Sequence, residues 1–206
     1  MCVSTAQCEQ AFSVQNHIKD KYRNTLTIAR LDALIRIDLE GPEVTYLEPR
    51  TGESTILKAK NGANIKIRAS PGPILGPPWQ RPENGYFIEV ENPKFSIYYE
   101  PHCIFENAKL EGERADIVLT PVVQQVLPGY VLVSGQEDAV KVTEWLKPKF
   151  IVTMKNGDLD AKGILASMVS QKGTNESFTE LLSKKLPETE VLDPVPGVPL
   201  EVPICS

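Results

Sequence analysis

The side chains able to do chemistry are few and fall in two groups. Glu100, His102 and Cys103 stand together, and Lys155, Asp158 and Asp160 follow further along. Glutamate, histidine and aspartate are zinc ligands, so Glu100, His102 and Asp158 form a weak candidate metal set if their strand ends adjoin. His102 also fits a hydrogen-bonded, partly buried imidazole at a strand end. Lys155 has no lone pair at neutral pH and cannot be a ligand. It offers a positive charge, either to Glu100 or Asp158 or to an anionic ligand. Histidine is scarce, His17 and His102 being the two in the chain. The cysteines, Cys2, Cys8, Cys103 and Cys205, form no Cys-x-x-Cys pair. They suggest reduced thiols in an intracellular protein rather than a zinc ribbon or a redox site.

The elements that must position these groups alternate in type. Residues 1–25 show no clear period and fit a frayed tail or an irregular helix. Residues 26–39 place Leu31, Leu34 and Ile35 on one helical face. Val44–Leu47 suggests a short strand bounded by Gly41-Pro42 and Pro49. Ser54–Lys58 and Asn64–Ala69 suggest a hairpin around Lys60-Asn61-Gly62. The alternation of Ile65 and Ile67 with Lys66 and Arg68 predicts one wet face. Residues 70–85 hold five prolines and three glycines, too many for a regular element. A loop this stiff either positions function, with Trp79 lining a pocket mouth near Tyr86 and Tyr98, or merely tucks Trp79 against the core. Asn84-Gly85 then suggests a turn into Tyr86–Val90, and Phe95–Tyr99 completes a second hairpin.

The second half predicts a buried strand at Ala115–Thr120 and a helix opened by a Ser134-x-x-Glu137 capping box. Ala139, Val142 and Leu146 form its stripe, and Lys147-Pro148 stops it. The strand Phe150–Met154 follows, then helices over 160–171 and 175–185. Gly173 ends the first, and Thr174 or Asn175 caps the second. Glu190–Leu192 is a last strand. Antiparallel hairpins followed by strand–helix–strand units make an α/β layered domain, a mixed sheet with flanking helices.

Composition narrows the functions. A formal charge of −5, with no Lys/Arg run beyond two residues, disfavours a nucleic-acid partner. No apolar run is long enough to span a bilayer, so no membrane partner is expected. The first residues carry neither a signal peptide nor an Arg-rich transit pattern. Intracellular, cytoplasmic placement is therefore expected.

Four separated blocks resemble the metallo-β-lactamase superfamily, and most nearly its plant and cyanobacterial branch. They are Gly76-Pro77-Pro78-Trp79-Gln80-Arg81-Pro82-Glu83-Asn84-Gly85-Tyr86, Tyr98-Tyr99-Glu100-Pro101-His102-Cys103, Ala115-Asp116-Ile117-Val118-Leu119-Thr120-Pro121-Val122 and Met154-Lys155-Asn156-Gly157-Asp158. The resemblance covers about residues 44–202, with 1–43 a poorly matched segment and 203–206 a tail. It implies the later portion of an αβ/βα sandwich, hydrolase chemistry, zinc as cofactor and, for the plant-like branch, a chloroplast address.

Such enzymes share a bridging hydroxide between two metals held by four or five histidines and one or two aspartates. Matched position by position, this chain lacks them. No H-x-H-x-D-H loop surrounds His17, and Ser70–Ile74 offers no ligand. Glu100 and His102 stand where the bridging aspartate is expected, and Lys155 replaces the last histidine. The resemblance places Lys155 at the active-site mouth. No bound cofactor is therefore expected, and the chain reads as an inactive fold remnant or a binding module for a small molecule or protein. The alternative is a hydrolase with altered ligands. The chain also reads as N-terminally truncated, which would leave an apolar sheet face for a homo-oligomer or protein partner to cover.

Overall fold

Strand alternation explains the architecture of this protein, seen in a computed structural model that describes residues 47–48, 51–59, 62–74, 83–91, 93–154, 167–195 and 198–203. The described strands and helices, in order, are β1 (Ser54–Lys58), β2 (Asn64–Pro71), β3 (Asn84–Glu91), β4 (Lys94–Tyr99), α1 (Asn107–Leu110), β5 (Ile117–Pro121), β6 (Gln124–Leu127), β7 (Tyr130–Val133), α2 (Gln136–Leu146), β8 (Phe150–Met154), β9 (Ser170–Lys172), α3 (Asn175–Lys185) and β10 (Glu190–Leu192). A seven-stranded mixed sheet runs β1-β2-β3-β4-β5-β8-β10. Its first four strands are antiparallel hairpin neighbours, and β4, β5, β8 and β10 are parallel. A small antiparallel sheet runs β7-β6-β9. The fold is α/β, as expected from sequence.

One face of the large sheet is covered by α2 and α3. There Phe87, Tyr98, Val118 and Ile151 meet Val142 and Leu146 of α2 and Phe178 and Leu182 of α3. The opposite face is also apolar. Ile97, Ile117, Leu119, Val152 and Met154 line a cavity of about 530 Å³ with Pro194, Leu200 and Val202 of the Pro-rich segment after β10.

Several sequence expectations need correction. Asn84-Gly85 is not a turn but the start of β3, and Ser70-Pro71 belongs to β2, so both ends of the Pro-rich stretch are strand. The face of β2 carrying Lys66 and Arg68 is not simply wet. Arg68 lies 4.4 Å over the Phe87 ring and pairs with Glu113 at 2.8 Å, because a guanidinium can stack on an apolar wall and keep its charge paired. Helix α2 has Gly135 as its cap with no side-chain cap bond. Ser134 instead donates its N–H to the His102 carbonyl, which delays the helix by one residue. Where the helix 160–171 was expected to end, Ser170–Lys172 is strand β9, recruited by β6. Strands β6 and β7 were not anticipated. Leu47 is buried but lies in no strand, and Val44–Tyr46 and the helix over 26–39 lie outside the described residues.

Candidate functional site

Strand register lines up two rows of residues on the helix-covered face. The first is Arg68, Phe87, Tyr98, Val118 and Ile151, each opposite the next. Two residues further, at the C-terminal ends of the parallel strands, comes a row of different character: Ser70, Gly85, Glu100, Thr120 and Thr153. Ser70 pairs with Gly85 and Thr120 with Thr153. Glu100 stands one residue beyond the Tyr86–Tyr99 and Tyr99–Leu119 pairs. All four side chains of this row are at most 3% exposed. Ligands of open α/β sheets bind just outside this end of the strands.

Glu100 is the centre of the row. Its Oε2 accepts the N–H of His102 at 3.1 Å and of Ile104 at 2.9 Å, closing the chain after β4 into a tight turn. Cys103, inside that turn, has φ 53 and is buried. The carboxylate is thus spent on backbone donors, which need a strong acceptor in a dry place. Burial nevertheless pushes the Glu100 carboxyl up to about 7; its backbone bonds pull the other way without reversing this, and the negative charge of the neighbouring Glu83 adds to the rise. Burial also pushes the Tyr98 hydroxyl and the Cys103 thiol well above their ordinary ranges. Two glycines make room for the carboxylate. A Cβ at Gly85 would come within 3.3 Å of both Glu100 Cγ and the Tyr98 oxygen, and one at Gly72 within 2.7 Å of the Glu83 carbonyl.

His102 is half-buried, and its Nδ1 lies 3.2 Å from the Leu132 carbonyl of β7. A carbonyl only accepts, so Nδ1 carries the proton there. At the far end of the row, Thr153 Oγ1 donates to Asp193 Oδ1 at 3.1 Å and accepts from Asn175 Nδ2 at 3.2 Å. Of the residues singled out from sequence, the structure brings Glu100, His102 and Cys103 into this one turn. Lys155, Asp158, Asp160 and Trp79 lie outside the described residues. Sequence reasoning placed Tyr98 near a pocket mouth but passed over Thr120, Ser70 and the two glycines as parts of the site. Strand alternation held the signal, since Glu100 follows Tyr98 by two residues and so shares its inward face.

A family model of the beta-lactamase superfamily domain matches residues 15–155. The chain belongs to this superfamily. The match begins within the segment 1–43 that sequence reading had set apart, and ends at Lys155. Among solved structures, the chain is similar to Igni18, a metallo hydrolase of Ignicoccus hospitalis KIN4/I, at 13% identity and a TM-score of 0.48, covering 81% of this chain and 64% of that one. It is similar to a metal-dependent hydrolase of Parabacteroides distasonis ATCC 8503 at 15% identity and a TM-score of 0.43, covering 82% and 70%. A third is a Zn-dependent hydrolase of the metallo-beta-lactamase superfamily from Thermotoga maritima, at 17% identity and a TM-score of 0.35, covering 53% and 50%. The chain therefore spans under two-thirds of the length of Igni18. No curated protein matches it.

Among the described residues, the donors do not make up the superfamily's two-metal centre. The whole chain holds two histidines. One ring nitrogen of His102 is taken by Leu132 and one oxygen of Glu100 by the turn it closes. Among the described residues, no three of histidine, cysteine, aspartate and glutamate are grouped to hold a metal ion. Nor is any helix among them long and apolar enough to cross a membrane.

Proposed function

We propose that this member of the beta-lactamase superfamily does not carry out metal-dependent hydrolysis and that its former catalytic floor now serves stability and binding. The observation that supports this most is the use made of Glu100. A catalytic carboxylate has to face the reacting atoms. This one faces inward, 1% exposed, and spends an oxygen on the N–H groups of His102 and Ile104. The shortage of histidine argues the same way, because a bridging hydroxide needs two metals close together and each metal needs three or more donors.

A hydrolase of altered chemistry is the second reading, and one observation favours it. A carboxyl held at about 7 is poised for proton transfer near neutrality. General phosphodiesterase and thioesterase assays separate the two, run on the parent protein and on Glu100→Gln and Lys155→Ala. The parent is expected to stay at the uncatalysed rate, with or without added zinc. Turnover in the parent, lost in either variant while thermal unfolding stays cooperative, would make the chain an enzyme.

A further inference from the structure

The two edges of the large sheet are built differently. Strand β10 is three residues long, and Pro194, which has no N–H to offer, follows it closely. Strand β1 is five residues long, runs Ser54-Thr55-Ile56-Leu57-Lys58 without proline, and has β2 on one side alone. Its backbone alternates. The Glu53 carbonyl accepts the Ala69 N–H at 3.1 Å, and the Ala59 N–H donates to the Ala63 carbonyl at 2.9 Å, so Glu53, Thr55, Leu57 and Ala59 face β2. Ser54, Ile56 and Lys58 therefore turn their N–H and C=O groups outward, and no described residue bonds to them. The side chains leave this edge open. Ile56 is 61% exposed and Leu57 51%. Leu57 ends an apolar row that runs in register through Ile65, Val90 and Phe95 on the face away from the helices. A bare edge with exposed aliphatic side chains is a template for another strand.

The pattern of the strand selects its partner. We propose that β1 pairs with β1 of a second copy of this chain, antiparallel about a two-fold axis at Ile56. A strand set against its own copy in this way is self-complementary, because a two-fold contact uses the same patch on both chains. In that register Ile56 faces its own counterpart and Ser54 faces Lys58 of the other copy. Each outward N–H and C=O of the three residues is then matched. Leu57 lies across from Thr55 on the other face, so the apolar surface that ends in water at Leu57 continues from one copy into the next. The one charge on the strand, Lys58, meets a serine, whereas a register centred on Lys58 would oppose two ammonium groups. The pairing does not depend on whether the chain hydrolyses anything.

The test is sedimentation equilibrium of the full chain from about 1 μM to about 1 mM, a span that takes in weak and tight association, with amide exchange followed residue by residue. The mass is expected to rise from that of one chain towards that of two and to stop there, because a two-fold contact uses the edge up. As it rises, the Ser54, Ile56 and Lys58 amides should slow in exchange by roughly tenfold, while those of Thr55 and Leu57, already bonded to β2, change little. Ile56→Lys sets like charges opposite each other at the axis, and Ile56→Pro removes an outward N–H without touching the β2 ladder. Each is expected to weaken association by about tenfold while unfolding stays cooperative. A chain that stays monomeric throughout would overturn the inference. So would a dimer in which the three outward amides exchange as fast as in the monomer, or one that both variants leave intact. Growth beyond two copies that Ile56→Lys does not stop would place the contact on another surface and overturn it too.

Discussion

Glu100 ties folding to protons. Its carboxyl is raised from 4.5 to about 7 in the folded chain. Between those values the folded state binds more protons than the unfolded state, so stability falls as pH rises. The contribution is complete below about pH 4.5 and gone above about pH 7, and the span corresponds to about 3 kcal/mol. Denaturant unfolding of the parent is therefore expected to give a lower free energy at pH 8 than at pH 5. Glu100→Gln keeps the shape and an acceptor for the turn but cannot ionise, so its profile across that window should be nearly flat. A parent profile as flat as that of the variant would show that the carboxyl is not held up by burial.

Helix α3 shows how local chemistry fixes an element that then braces the site. The Thr174 side chain accepts the Ser177 N–H at 3.2 Å, and the Ser177 hydroxyl accepts the Thr174 N–H at 3.0 Å, a reciprocal cap. Its first residue, Asn175, reaches the Thr153 hydroxyl at the end of the polar row. Thr174→Ala should cost about 1 kcal/mol in denaturant unfolding, since it strands one of the first N–H groups of the helix. This cap was legible in the sequence, as were the two hairpins, the parallel strand at Phe150–Met154 and the last strand, because each is set by short-range pattern. The small sheet was not legible. Its strands, Gln124–Leu127 and Tyr130–Val133, are short and one is strongly exposed, and β9 exists only because β6 pairs with it. The false capping box at Ser134 failed for a similar reason: a distant carbonyl, that of His102, claimed its N–H. At the site, Glu100 and His102 stood out by residue type, while the burial of Glu100 had to be inferred from alternation and was missed. A hydroxyl such as that of Thr120 carries no sequence signal at all until its neighbours are known.

For the whole molecule, family and donor supply point in different directions. The superfamily match covers residues 15–155, and the buried polar row lies at the C-terminal ends of the parallel strands, the end at which open α/β sheets bind ligands. Yet the chain carries two histidines, and its buried acid serves a turn. A scaffold can outlast its chemistry because the core and the site draw on different residues: Phe87, Tyr98, Val118, Leu146, Ile151 and Phe178 hold the layers together without any metal. The most direct test of that account is elemental analysis of the chain purified without chelators and dialysed against metal-free buffer. The account predicts zinc, iron and manganese all far below one ion per chain, with no change in Tm when a chelator is added. One or two ions per chain retained through dialysis, and a Tm that drops on chelation, would contradict it.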